Sequence, residues 1–297
     1  MKRTVRTTDG RVLAVEDVGD PAGRPVLVHS GTPGSRLQYG PHARDATERG
    51  LRLIGYDRPG YGGSSPRPGR TVADCASDVR AICADLGIER LAMWGASGGG
   101  PHVLACAALL PDLVVAAASI ASLAPFDADG LDYFDGMGQG NVDDIRQYFS
   151  DEPASRAKAG KDREEILAGP PASATDGTPT GGPDGLATLL SVADAAAMTG
   201  ELGAFLDSSM REGLAPGVEG WWEDNCTVRP WGFSPADIKV PVLLLHGRQD
   251  MFVPFGHGEW LAARIPGVEA RLLDDDGHLT LLQNRISEVH AWLSDRL

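Results

Sequence analysis

The apolar and polar positions of this chain change rhythm several times along its length. β-favouring residues flank Asp9-Gly10 across residues 4–17, which predicts a hairpin closed by a two-residue turn. Short apolar runs follow at residues 25–29, 51–56, 90–94 and 114–120, and again at 240–246 and 268–273. Bounded by turn formers, runs of this length predict buried strands. Between them the spacing becomes helical. Val72, Val79, Ile82 and Leu86 lie between Thr71/Asp74, a capping signal, and Gly87, a stop, and predict a helix capped by Thr71. Residues 43–49 read as a second helix. Val103, Leu104, Ala107 and Leu110 form one helical face, and Leu282, Ile286, Val289 and Leu293 predict a last helix. Strands and helices alternating on this scale predict an α/β fold, a mostly parallel sheet covered on both faces.

From residue 121 to about 239 the alternation stops. This stretch holds short helical segments and many aromatic residues, among them Phe126, Tyr133, Phe134, Tyr148, Phe149, Trp221, Trp222 and Trp231. It reads as an inserted, largely helical cap: residues 1–123 and 236–297 form the core, 124–235 the cap. Residues 169–185, rich in Gly, Pro, Ser and Thr, predict a mobile loop that gates access.

Composition adds exclusions. A net charge of −14 argues against nucleic acid and anionic membrane surfaces as partners. The first ten residues carry no apolar segment of signal-peptide type, and no apolar run is long enough to span a membrane, so a cytoplasmic location is expected. Cys75, Cys83, Cys106 and Cys226 show no C-x-x-C spacing and are expected to be buried free thiols, with no metal site. A monomer or homodimer acting on a small molecule, without cofactor, is the expectation.

The candidate chemistry centres on Gly95-Ala-Ser-Gly-Gly99, a G-x-S-x-G sequence between a predicted strand and a predicted helix. Such an elbow holds its serine on a strained turn at a helix N-terminus and needs small neighbours. A serine hydroxyl needs a base and an orienting carboxylate. Chain order Ser, acid, His points to Ser97, Asp250 and His278, the latter two following the strands at 240–246 and 268–273. Asp127, after the strand at 114–120, is the rival acid. Of the seven histidines, His29 and His246 end strands and suit structural hydrogen bonds, and His102 suits local bonding. His42, His257 and His290 are placed on surface loops or helices. An oxyanion needs two N–H donors: Gly98, after the serine, and Thr32, with Ser30 as the other option, in the loop after residues 25–29.

With these motifs the chain resembles the α/β-hydrolase superfamily. Ser30-Gly-Thr-Pro-Gly-Ser35 is similar to its H-G-x-P-G-S loop, and Asp57-Arg-Pro-Gly-Tyr-Gly-Gly-Ser64 to its D-x-P-G-x-G-x-S segment. Gly95–Gly99, Gly247–Asp250 and Gly277-His278 match the elbow, acid turn and histidine loop. The resemblance covers everything but the cap and implies eight strands with the cap after the sixth. Ser30 stands where the family has histidine, so the bracing of that loop is expected to differ.

The resulting expectation is a cofactor-free serine hydrolase of an ester, thioester or lactone, with an apolar substrate roofed by Phe126, Phe134, Trp221 and Trp222. Amide or C–C hydrolysis, acyl transfer, or ligand binding without turnover are the alternatives.

Overall fold

A computed structural model describes residues 1–169 and 186–297. All but the first residue of the expected gating loop at 169–185 lies outside the described residues. Eight strands form one sheet: β1 (Lys2–Arg6), β2 (Val12–Gly19), β3 (Arg24–His29), β4 (Leu51–Tyr56), β5 (Leu91–Ala96), β6 (Val114–Ile120), β7 (Val242–Gly247) and β8 (Glu269–Leu273). Their order is β1-β2-β4-β3-β5-β6-β7-β8. The β1–β2 and β2–β4 pairs are antiparallel and the rest parallel.

The apolar runs are continuous because both sheet faces are covered. Successive side chains of a strand point to opposite faces. Leu91 and Met93 of β5 enter one core with α2 (Cys75–Leu86), α3 (Gly99–Leu109) and α9 (Phe255–Arg264). Ala92, Trp94 and Ala96 enter the other with α1 (Gly40–Glu48) and α11 (Ile286–Ser294). β7 divides likewise, Val242 and Leu244 from Leu243 and Leu245.

Two helix expectations need correction. Thr71 does not cap α2. Its N–H and hydroxyl both bond the Asp74 carboxylate, at 2.7 and 3.0 Å, so residues 71–74 form a turn and the helix starts at Cys75. The last helical pattern is two helices, α10 (His278–Asn284) and α11, broken at Arg285, whose guanidinium bonds Asp276 and Glu288.

Between β6 and β7 lie α4 (Gln139–Ser150), α5 (Glu152–Ala168), α6 (Val192–Ala197), α7 (Gly200–Leu214) and α8 (Glu219–Glu223). No helix among the described residues is long and apolar enough to cross a membrane. The insertion is fastened to the sheet by Asp224, which follows α8 and is buried between Arg58 and Arg70 of the loop after β4. Tyr61 Oη donates to the same carboxylate at 2.9 Å. The two arginines hold the Asp224 carboxyl far below the usual range despite its burial. Removing one partner from such a cluster strands buried charge, which costs about 3–5 kcal/mol. Asp224→Ala is therefore expected to lower the unfolding free energy by about that much in a denaturant titration. A loss below about 1 kcal/mol, the range of exposed ion pairs, would contradict this role.

Candidate active site

Ser97 occupies the turn between β5 and α3 with φ 55°, one of two non-glycine residues with positive φ among those described. An L-residue adopts that conformation only when its surroundings impose it. Here the Ser97 N–H donates to Ile120 O at 2.9 Å, and its carbonyl accepts from Gly100 N at 2.9 Å. Ser97 is partly exposed while its neighbours are buried. Gly98 must be glycine: a Cβ there would lie 2.2 Å from Thr32 Oγ1. That closeness sets Gly98 against Thr32, the two positions expected to donate to an oxyanion.

Arg58 braces the loop after β3, in which Ser30 stands where histidine is expected. Its Nη1 donates to Ser30 O at 2.5 Å, and its Nη2 to Gly31 O at 3.1 Å and Thr32 Oγ1 at 2.9 Å. Thr32 Oγ1 then donates to Asp224 Oδ2 at 2.5 Å. On the other side, His102 Nδ1 donates to Gly98 O at 2.8 Å, leaving Nε2 to accept from Arg70 Nη1 at 3.4 Å. Burial, with Arg58 nearby, lowers the His102 pKa to about 3, which matches this neutral tautomer. One buried network thus holds both backbone segments beside Ser97. Arg58 stood inside the D-x-P-G segment of the sequence; Asp224 had no signal that set it apart from other acids.

Asp250 and His278 are brought together. His278 Nδ1 lies 2.7 Å from Asp250 Oδ2, and Asp250 Oδ1 accepts from Phe252 N at 2.9 Å and Val253 N at 2.8 Å. An ionised carboxylate only accepts, so Nδ1 carries the proton and Nε2 keeps its lone pair. Phe252, which sequence reasoning missed, stacks on the imidazole at 4.6 Å. Burial works against a charged His278 ring, but the Asp250 charge and hydrogen bond, with Asp194, outweigh it and raise the pKa above the ordinary 6.5. Asp127, the rival acid, is exposed. Among the described residues no hydrogen bond joins Ser97 to His278. Sheet order nevertheless puts both on one edge, since Ser97 follows β5 and His278 follows β8 at their C-terminal ends.

Other histidines correct the sequence reading. His257 and His290 are fully buried, not on the surface. His257 Nδ1 accepts from Ala124 N at 3.0 Å and its Nε2 donates to Tyr133 O at 2.9 Å, pinning the entry of the insertion. His290 bonds Asp45 at 2.8 Å where α11 meets α1. His42 is half-buried and donates to Leu282 O at 2.8 Å. All four cysteines are buried free thiols.

The aromatic residues divide into three groups. Phe126 stacks on Phe149 at 4.8 Å, Phe149 meets Tyr148 at 5.1 Å, and Tyr148 meets Trp222 at 5.4 Å. Phe134 joins at Phe126, 6.1 Å away. Rings from both ends of the insertion therefore form one chain. Trp221 is elsewhere, packed with Tyr61, Ile166 and Leu214. Trp231 stacks on Phe233 and belongs to the sheet core. A cleft of about 910 Å³ opens beside the acid turn, lined by Arg248, Asp250, Glu259 and Trp260 among others. Neither Ser97 nor His278 lines it.

Comparison with known proteins agrees with this architecture. The sequence profile of the α/β hydrolase fold family matches residues 24–285. An AB hydrolase superfamily protein of Bacillus subtilis is 27% identical over 285 residues, covering 94% of this chain and 92% of its own. A bifunctional esterase/perhydrolase of Acinetobacter calcoaceticus is 25% identical, covering 84% and 83%. An esterase structure from Exiguobacterium antarcticum superposes with a TM-score of 0.70 at 21% identity, covering 99% of this chain and 100% of that one.

The contrast between histidines is measurable by NMR titration of the rings in the folded protein. His278 is expected to gain its proton above pH 6.5, whereas His102 and His257, lowered to about 3 and about 4 by burial, stay neutral through pH 5. A His102 that titrates near 6.5 would contradict the bonding network around Gly98.

Proposed function

Because this chain belongs to the α/β-hydrolase fold family, we propose that it is a serine hydrolase that cleaves a carboxylic ester, thioester or lactone through an acyl-enzyme. Relatives named as esterases support hydrolase activity in general. The observation that carries the finer reading is the left-handed φ of Ser97, 55°, on a partly exposed turn between strand and helix. Strained backbone clusters at active sites, and a nucleophile elbow holds its serine in this conformation.

In this reading Ser97 Oγ attacks the carbonyl carbon while His278 Nε2 takes its proton. Asp250 keeps the imidazole in the required tautomer and stabilises the imidazolium. The Gly98 and Thr32 N–H groups receive the oxyanion, each such donor being worth about 3–4 kcal/mol in the transition state. Collapse expels the leaving group with the His278 proton. Water then repeats the sequence on the acyl-enzyme, His278 acting as base and then acid. The insertion is the cap in this account, and the ring chain from Phe126 to Trp222 favours an apolar or aromatic group of a small-molecule substrate.

Two outcomes test this. A fluorophosphonate probe is expected to label Ser97 alone, and Ser97→Ala to lower ester turnover at least about a thousandfold with the fold intact. Equal labelling of wild type and variant would remove Ser97 as nucleophile. For the cap, kcat/KM across a series of chain-length and aromatic esters is expected to change rank order in at least one of Phe134→Ala, Trp221→Ala and Trp222→Ala. Unchanged order in all three makes these rings structural.

A further inference from the structure

The turn that carries His278 is held from outside the core. Asp194, on α6 of the insertion, is completely buried. Its carboxylate accepts three backbone N–H bonds at the start of α10: His278 N at 2.9 Å, Leu279 N at 2.7 Å and Thr280 N at 3.1 Å. Those N–H groups have no partner within their own helix, and a side chain 84 residues away supplies one. The contact continues as apolar packing, since Leu279 shares a buried cluster with Ala197, Met198 and Leu202. Gly277 records the same approach: a Cβ there would sit 2.4 Å from Asp194 Oδ2.

Both Asp194 oxygens accept here, which a neutral Asn with its single acceptor oxygen cannot match, and burying an ionised carboxylate without a cation is costly. The carboxylate lies on the backbone of the residue whose ring becomes positive during the proposed reaction. We propose that Asp194 is a positioning residue for His278, fixing the histidine turn from the cap and adding a second negative charge behind the imidazolium. The inference rests on His278 being the general base.

Among the described residues, four charged or titratable groups lie near the ring. Asp250, on the turn after β7, bonds Nδ1. His246, at the end of β7, is held neutral by burial and donates to Val253 O. Asp194 approaches from α6. Asp276, two residues before His278, is turned toward Arg285. Among the described residues Asp194 is thus the one carboxylate besides Asp250 that these contacts direct at His278, and both favour the protonated ring. Loss of either charge moves the His278 pKa down, so the acid limb of reactivity shifts to lower pH.

The test uses the full chain, a fluorophosphonate probe and two variants. In Asp194→Asn the limb of labelling rate against pH is expected to fall by about 0.5–1 pH unit, as for removal of a nearby opposite charge. The plateau rate is expected to drop about tenfold through misplacement of the base. Gly277→Ala keeps the charge, and its backbone angles (φ −102°, ψ −157°) accept alanine, but its methyl displaces the carboxylate. It is expected to shift the limb in the same direction, and the double variant no further. If Asp194→Asn does not fold, Gly277→Ala carries the test. NMR titration of His278 reads the same shift without turnover, so failure of the inference is separable from failure of the Ser97 reading. An unmoved His278 pKa in a folded variant, even with a lowered Tm, overturns the proposal.

Discussion

Two arginines and one aspartate, all buried, constrain most of what surrounds the serine. Arg58 and Arg70 come from the loop after β4, and Asp224 from the far end of the insertion. None can leave without stranding charge in a region that excludes water. The guanidinium of Arg58 has donors to spare, and it directs them to the Ser30 and Gly31 carbonyls and to Thr32. Arg70 reaches Gly98 through His102. The carboxylate that docks the insertion therefore also holds the segment beside Ser97.

The histidines show why a carboxylate neighbour alone does not raise the pKa of a buried ring. His290 bonds Asp45 at 2.8 Å, much as His278 bonds Asp250 at 2.7 Å. Yet the His290 pKa is lowered and that of His278 raised. Asp45 divides its charge among Arg49, Ser287 and His290 on a half-exposed helix. Asp250 is buried, bonds two backbone N–H groups and leaves one oxygen to His278, while Asp194 adds to the field from the other side. Burial lowers the pKa of both rings; undivided charge reverses that only at His278.

The sheet was legible in the sequence because its strands are short apolar runs between turn formers, and the sheet edge follows from where Gly95–Gly99, Asp250 and His278 fall after such runs. Helix ends were less legible. Thr71 has the look of a cap, but its bonds to Asp74 compete with helix formation, and the break at Arg285, whose guanidinium bonds Asp276 and Glu288, leaves no mark in the periodicity. Asp224 and Asp194 were invisible for a different reason. Each is one acid among 41 acidic residues, and its meaning lies in partners up to 192 positions away. Surface and core histidines were confused likewise: His257 and His290 sit on helices whose buried faces only the assembled fold defines.

In the proposed mechanism Ser97, Asp250, His278 and the Gly98 and Thr32 amides form one reacting unit. A crystal structure of the protein after reaction with a fluorophosphonate tests it most directly. Phosphorus is expected bonded to Ser97 Oγ, with one phosphonyl oxygen within hydrogen-bond distance of both the Gly98 and Thr32 nitrogens and His278 Nε2 facing the serine oxygen. Phosphorus on another residue, or a phosphonyl oxygen turned away from those two nitrogens, would contradict it.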